Sequence, residues 1–250
     1  MAAKVGQAVG VGYRRWVIEP VDAFLPRREP FDGATDAEAL IEAIVPEDGV
    51  YCPRCGRSTE AEALSARGCP TCHGHRLPWQ RLVRLGAYGE PLAERLRELK
   101  FAHHWRLAEP LGRALGGRVG AASAGGVPTV VTWVPLHWTR RWRRGYDQSR
   151  LLADAAAQRL DLMVVPTLRR VRRTRPQSLL TEAERRRNVT STAFATRTLD
   201  LKDHRVVLVD DVLTTGSTAA ACCRLLNKMG AAEVTLAVGA VTQRNRAPLQ

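Results

Sequence analysis

The sequence contains no apolar run that approaches the roughly 20 residues needed to cross a bilayer. Its first residues also lack a signal-peptide core, because the run Tyr13-Arg14-Arg15-Trp16 interrupts any apolar stretch there. These two absences predict a cytoplasmic protein without membrane insertion. The 250 residues, 45% of them apolar, suffice for one sizeable α/β domain and a small additional module.

Lysine is missing between His137 and Arg187, although this span contains fourteen arginines and five acidic residues. Much of the net charge of +13 therefore lies in guanidinium groups, which bind phosphate oxygens in a bidentate manner. This predicts a polyanionic partner, either the phosphates of a small ligand or a nucleic acid. A solubilising charged face is the alternative.

A Gly-Lys pair is also missing, which excludes the P-loop of nucleoside triphosphatases. A different candidate phosphate site lies between Val206 and Thr218, which reads V-V-L-V-D-D-V-L-T-T-G-S-T. Its first four residues predict a strand buried on both faces. The segments Ala219–Met229 and Glu233–Val241 predict a helix, ended by Gly230, and the next strand. Together they form a βαβ unit, whose ligands bind at the carboxyl end of the strand.

The chemistry of this stretch suits a phosphorylated sugar. Gly216 lets the backbone approach a ligand, and the first-turn amides of the predicted helix attract an anion. Further donors are the hydroxyls of Thr214, Thr215, Ser217 and Thr218. Asp210 and Asp211 would repel a phosphate, but they suit a sugar diol or a magnesium ion held through waters. An ordinary helix cap of threonine and serine is the alternative.

Four cysteines have the spacing of a metal site. Two C-x-x-C pairs separated by thirteen residues predict a tetrahedral zinc ribbon with the ligands Cys52, Cys55, Cys69 and Cys72. Four thiolates complete the coordination sphere, so His73 and His75 are expected to be non-ligands. A redox motif or disulfides are the alternatives, although tandem redox motifs and cytosolic disulfides are uncommon. Cys222 and Cys223 are expected to be buried packing residues.

Two arginine-rich stretches are candidates for diphosphate binding. The first follows Pro135 and offers Arg140, Arg141, Arg143 and Arg144 in a predicted loop. Trp138, Trp142 and Tyr146 alternate with these arginines, either to stack the bases of a single strand or to pack the loop onto the domain. The second stretch, 172–188, has the length and polarity of a lid, a binding loop or a disordered segment. If it is a lid, Arg172, Arg173 and Arg175 are the candidates for clamping a diphosphate.

The remaining pattern predicts alternating helices and strands. Helices are expected over Tyr88–Phe101, Ala108–Leu115 and Asp147–Leu160, and strands over Thr129–Val134 and Leu168–Val171. The Gly- and Ala-rich segment Gly116–Gly126 predicts a loop. Lys100 could approach the candidate site, although spacing alone favours a position in solvent.

The stretch V-D-D-V-L-T-T-G-S-T resembles the phosphoribosyl-diphosphate motif of type I phosphoribosyltransferases. With Arg144-Gly-Tyr-Asp-Gln148, the run from Pro176 to Asn188 and the cysteine pairs, the chain resembles the ComF family of competence proteins over residues 50–241. One departure is Leu25-Pro-Arg-Arg-Glu-Pro30, where the family often has a further cysteine pair.

The resemblance implies an α/β architecture, the type I phosphoribosyltransferase fold, in which helices flank a parallel twisted sheet beside a small N-terminal zinc ribbon. It implies that Asp210 and Asp211 bind the ribose hydroxyls, that Thr214–Thr218 cradle the 5′-phosphate, and that magnesium accompanies phosphoribosyl diphosphate. The expected units are a poorly defined extension (1–50), a zinc ribbon (51–78) and a phosphoribosyltransferase-like domain (79–250).

The expected function is phosphoribosyl-diphosphate binding together with the handling of single-stranded DNA during natural transformation, alongside the DNA-uptake machinery. Two alternatives stay open: an active phosphoribosyltransferase of nucleotide metabolism or salvage, and a non-catalytic regulator that senses the ligand. The sequence shows no general base for an acceptor, since Asp210 and Asp211 are adjacent and do not face each other. It does not identify the acceptor or the oligomeric state.

Overall fold

The computed structural model describes residues 41–43, 45, 49–101, 104–122, 127–171, 193–197 and 199–243. Most of the 1–50 extension and the lid arginines Arg172, Arg173 and Arg175 lie outside the described residues.

A five-stranded parallel sheet forms the centre of the molecule. Its strands are β1 (Arg81–Ala87), β2 (Thr129–Trp133), β3 (Met163–Val164), β6 (Arg205–Leu213) and β7 (Glu233–Val241). They lie side by side in the order β1-β7-β6-β2-β3. The short strands β4 (Leu168–Arg170) and β5 (Phe194–Thr196) form a separate antiparallel pair.

Four helices cover the two faces of this sheet, namely α1 (Leu92–Phe101), α2 (Ala108–Ala122), α4 (Gln148–Leu160) and α5 (Ser217–Lys228). The short helix α3 (Trp138–Arg144) follows β2 and has no buried residue. One apolar cluster joins α1, α2 and α4 to the sheet through side chains such as Leu96, Leu111 and Leu152. The other joins α5 to the opposite face and contains Cys222 and Cys223, both fully buried as predicted. Parallel strands need crossover helices, and burial on both faces explains their β-branched and aliphatic runs. The predicted parallel α/β architecture is confirmed.

The predicted loop after residue 115 is wrong in its first half, because α2 continues to Ala122. Two glycines in this helix allow close packing against α4. A Cβ at Gly112 would lie 2.7 Å from the Leu152 carbonyl oxygen, and one at Gly116 would lie 2.7 Å from that of Ala156. These glycines therefore bring two helices together instead of ending one.

The sequence pattern does not predict β1, since arginines interrupt its apolar run. Arg84 nevertheless has no exposed surface. Its guanidinium donates to the Gly56 carbonyl and, at 2.9 Å, to Ser58 Oγ, and it lies 4.7 Å from the Tyr51 ring centroid. Buried polar groups need such partners, and here the partners come from the cysteine-rich module.

Candidate functional site

A cavity of about 420 Å³ opens at the carboxyl ends of β2 and β6. Its walls combine acidic, hydroxyl-bearing and cationic side chains. Two of the lining residues carry carboxylates, namely Asp210 and Asp211. Five are cations, namely Lys100, Arg140, Arg143, Arg144 and Arg170. The predicted residues Thr214, Thr215, Gly216 and Thr218 also line it. The surplus of cations makes this cavity suited to an anionic ligand.

The two aspartates lie within the carboxyl half of strand β6, which continues beyond the predicted Val206–Val209 run to Leu213. Asp210 pairs with Val238 of β7, so the sheet fixes the backbone beneath both carboxylates. Side chains of neighbouring strand residues point to opposite faces. The two carboxyl groups therefore have different surroundings, although they are adjacent in sequence.

Asp210 is a partly buried carboxyl group. Its Oδ1 accepts hydrogen bonds from Ser149 Oγ at 3.0 Å and from the Asp211 amide at 2.9 Å. Burial, and then the charge of Asp211, raise the pKa of Asp210 to about 8. A ligand that supplies a cation or hydrogen-bond donors would favour its ionised form.

Asp211 is more deeply buried and is held by cationic and amide donors. Lys100 Nζ lies 2.8 Å from its Oδ2, and Gln148 Nε2 donates to the same oxygen at 3.1 Å. The Val212 amide donates to Oδ1 at 2.7 Å. Burial pulls the pKa of Asp211 up, but the charge and hydrogen bond of Lys100 outweigh it and hold the pKa below its ordinary value. Lys100 thus faces the site, and its predicted solvent position is wrong.

The hydroxyl turn connects β6 to α5. Gly216, with φ of +80°, is the N-cap residue and carries no capping side chain. The hydroxyls of Thr215 and Ser217 lie 3.0 Å apart, and the Ser217 amide donates to Thr215 Oγ1 at 3.4 Å. Helix α5 therefore begins at the cavity with its positive end, an arrangement that favours an anion there.

The segment predicted as an arginine loop contains helix α3. It begins after His137, whose Nδ1 accepts from the Thr139 amide, and ends at Gly145 with φ of +79°. Because a helix separates residues three and four apart by one turn, Arg140, Arg143 and Arg144 all reach the cavity.

Arg144 is connected to the carboxylates through an amide. Its Nη1 donates to Gln148 Oε1 at 3.0 Å, and Gln148 in turn donates to Asp211. The guanidinium lies 4.9 Å from the Phe101 ring centroid. Burial lowers the pKa of Arg144, and the charge of Asp211 opposes that effect.

The aromatic residues of this segment divide into two groups. Tyr146 is buried and donates its hydroxyl to the Leu99 carbonyl at 2.6 Å, so it packs the segment onto α1. Trp138 and Trp142 are 68% and 79% exposed. One turn apart on α3, they form an exposed aromatic face beside the cavity.

Asp147 and Arg170 also shape the site, although no sequence motif assigns them a role. Buried Asp147 accepts from the Leu136 amide at 2.9 Å and from the Arg150 amide at 3.4 Å, so it fixes the chain on both sides of α3. Burial raises the pKa of Asp147, and the two amides oppose that effect. Arg170 reaches the cavity from β4, where burial lowers the pKa of its guanidinium.

The four predicted cysteine ligands come together away from this cavity. All are buried, and their sulfurs lie within 4.8 Å of one another. The sulfurs of Cys52 and Cys72 are 3.6 Å apart, as are those of Cys55 and Cys69. A tetrahedron with zinc–sulfur bonds of ~2.3 Å has edges of about 3.8 Å. The cluster therefore fits a closed zinc site, and among the described residues no histidine belongs to it.

The cysteine module is fixed to the edge of the sheet. The Leu82 amide donates to the Pro53 carbonyl at 2.7 Å, and Trp79 Nε1 donates to the Arg54 carbonyl at 2.7 Å. Gly56 has a φ of +75°, and a Cβ there would lie 2.6 Å from a methyl group of Leu82, so glycine is the residue best suited to this approach. The module and β1 consequently stabilise one another.

Comparison with known proteins agrees with this architecture. The family model for the phosphoribosyl transferase domain matches residues 147–248. Competence protein F of Haemophilus influenzae is 33% identical over 189 residues, which cover 74% of this chain and 81% of that protein. The chain belongs to the competence protein F family. DNA utilization protein YhgH of Escherichia coli, another relative, is 36% identical over 191 residues, 75% of this chain and 82% of that protein.

With the parallel sheet, the domain match confirms the phosphoribosyltransferase fold of this competence protein F family member. Solved structures were also matched, with low scores. Glutamine phosphoribosylpyrophosphate amidotransferase of B. subtilis has a TM-score of 0.35 and 20% identity, covering 52% of this chain and 26% of that one. Hypoxanthine phosphoribosyltransferase of Staphylococcus aureus has a TM-score of 0.35 and 14% identity, covering 57% of this chain and 68% of that one.

Within the described residues, no helix is long and apolar enough to span a membrane.

Proposed function

We propose that this chain binds phosphoribosyl diphosphate with magnesium in the 420 Å³ cavity and handles single-stranded DNA during uptake, in the cytoplasm. The observation that carries the ligand assignment is the meeting of the Asp210–Asp211 pair with the hydroxyl turn and the α3 arginines around one cavity. Each group matches a different part of the ligand: diol, 5′-phosphate and diphosphate.

The ligand lies with its ribose hydroxyls at Asp210, which has fewer internal partners than Asp211. The 5′-phosphate sits at Gly216 and the amino end of α5, where amides and hydroxyls converge. The diphosphate extends towards Arg143 and Arg144. Magnesium would be held through Asp210 and the ligand oxygens, and it supplies charge neutralisation for the diphosphate.

The DNA assignment is supported by the relatives and by the surface of α3. The relatives are named as a competence protein and as DNA utilization proteins. Exposed Trp138 and Trp142 lie on the helix that carries Arg140 and Arg143. Aromatic rings combined with arginines bind single strands with little sequence preference.

Thermal unfolding with magnesium and phosphoribosyl diphosphate tests the ligand assignment. Bound ligand stabilises the folded state, so at 100 times Kd the melting temperature should rise by an amount equivalent to about 2.7 kcal/mol. Asp210→Asn should lose most of this shift, while the exposed control Asp203→Asn should keep it. A full shift in Asp210→Asn would contradict the assignment.

Catalysis is the second candidate, favoured by the match to a phosphoribosyl transferase domain. The reaction would transfer ribose 5-phosphate to a nitrogen nucleophile and release diphosphate, whose charge the arginines would stabilise. Incubation with phosphoribosyl diphosphate, magnesium and a panel of nucleobases tests it. Base-dependent release of diphosphate that is lost in Asp210→Asn would establish turnover, and release no faster than in buffer would exclude it for the bases tested.

A further inference from the structure

A second cavity of about 220 Å³ opens beside the first and is lined by Lys100, Phe101, Arg143, Arg144 and Tyr146. All of these residues except Tyr146 also line the 420 Å³ cavity. The two cavities therefore share a wall that carries three cations. We call the smaller one the side cavity.

The side cavity presents both an anion site and an aromatic platform. Arg143 is exposed, and among the described residues no carboxylate forms an ion pair with it. The buried Nε of Arg144 lacks a hydrogen-bond partner within the described part of the chain. Beside them Phe101 is 64% exposed, so part of its side chain is accessible to a ligand. A phosphate next to an unstacked base matches this pair of features.

The floor of the side cavity is fixed, which makes it a preformed site. Tyr146 is buried, and its hydroxyl bond to the Leu99 carbonyl ties α3 to α1. Gln148 and the Phe101 ring hold the Arg144 guanidinium on two sides. Preorganised donors lose little conformational freedom when an anion binds.

We propose that the side cavity takes one nucleotide of the bound single strand, so that the strand and phosphoribosyl diphosphate compete for Arg143 and Arg144. This inference rests on the proposed function for both ligands. Its physical basis is that one guanidinium cannot fully neutralise two phosphates, and a phosphate in either cavity repels one in the other. The coupling is reciprocal, so each ligand weakens the other by the same factor.

Competition is measured with a fluorescent oligothymidylate at low salt. Saturating magnesium and phosphoribosyl diphosphate should raise the Kd of the strand at least about fivefold, the lower end of typical coupling between sites. Magnesium sulfate at the same ionic strength should raise the Kd of the strand by less than half as much as phosphoribosyl diphosphate does. This control separates competition for the site from general screening by salt. The reverse titration should show the same factor.

Variants locate the competition. Arg143→Ala should weaken both ligands and reduce the coupling factor, whereas Lys228→Ala, which removes an exposed cation of α5, should change neither affinity by more than about twofold. Phe101→Leu keeps an apolar contact for Arg144 but removes the ring, and should weaken the strand about fivefold or more.

Two outcomes would overturn the inference in distinguishable ways. An unchanged or stronger strand affinity in protein that thermal shift shows to be saturated with phosphoribosyl diphosphate would refute competition alone. Absence of any thermal shift, or of any strand binding, would refute the proposed function and this inference with it.

Discussion

Lys100 Nζ lies 2.8 Å from Asp211 Oδ2, although 111 positions separate the two residues in the chain. The ion pair joins the end of α1 to the carboxyl end of β6, and its Lys100 lies in the wall that the 420 Å³ cavity shares with the side cavity. It keeps Asp211 ionised, while the neighbouring Asp210 has a raised pKa. Substitution of these two adjacent aspartates should therefore change the stability of the protein in opposite directions.

Asp211→Asn should destabilise the fold. It leaves the partly buried ammonium of Lys100 near Arg144 without its carboxylate, at a cost of about 1–3 kcal/mol. Adding Lys100→Met should recover part of the loss, because the unpaired charge is then removed. Urea unfolding of the wild type, both single variants and the double variant gives the coupling energy. Strict additivity would show that the pair contributes nothing.

Asp210→Asn should stabilise the ligand-free protein. A raised folded-state pKa means that the native state binds a proton that the unfolded state releases, so the native state loses stability as pH rises from about 4 to the folded pKa of about 8. Asparagine keeps the hydrogen bonds and removes this penalty, and the gain should reach about 1–2 kcal/mol near pH 8. Melting curves from pH 5 to pH 9 would measure it, and a constant or negative difference across that range would contradict the raised pKa.

Removal of zinc should destabilise the edge of the sheet as well as the cysteine module, since Leu82 and Arg84 of β1 bond to the backbone around the ligands. Metal analysis should find about one zinc per chain, and Cys52→Ser should lose it. The buried cysteine Cys222, which lies outside the cluster, provides the control Cys222→Ser. Full zinc content in Cys52→Ser, or loss only in the control, would contradict the site.

Trp142→Ala should weaken single-strand binding by about fivefold or more, through the loss of base stacking, with little change in the dependence of affinity on salt. Arg143→Ala should instead reduce the salt dependence, because one fewer cation is available to displace counterions. Binding isotherms at several salt concentrations separate the two. If both substitutions changed the salt dependence of the affinity equally, the tryptophan would act only through the folding of α3. Circular dichroism would then reveal a loss of helix in Trp142→Ala.

Local sequence patterns were enough to predict the type of those helices and strands whose apolar side chains form an uninterrupted buried run or stripe. The aliphatic runs of β6 and β7 and the apolar spacing of α4 specify their types, because each packs against neighbours on predictable faces. The cysteine spacing likewise specified a four-sulfur cluster, since ligand geometry limits the length of each knuckle. In contrast, the local sequence around Gly112 and Gly116 does not distinguish a glycine that ends a helix from one that allows the helix to pack closely against α4.

The tertiary structure alone decided which residues from distant segments of the chain come into contact. Sequence determined that a strand would end near two aspartates and a hydroxyl turn, and that arginines would cluster after Pro135. Only the folded sheet brought Lys100 to Asp211, placed Arg144 on Phe101 and buried Arg84 beside the cysteine module. Such contacts depend on the order of strands and the packing of helices, and a buried cation has no local pattern that distinguishes it from a solvated one.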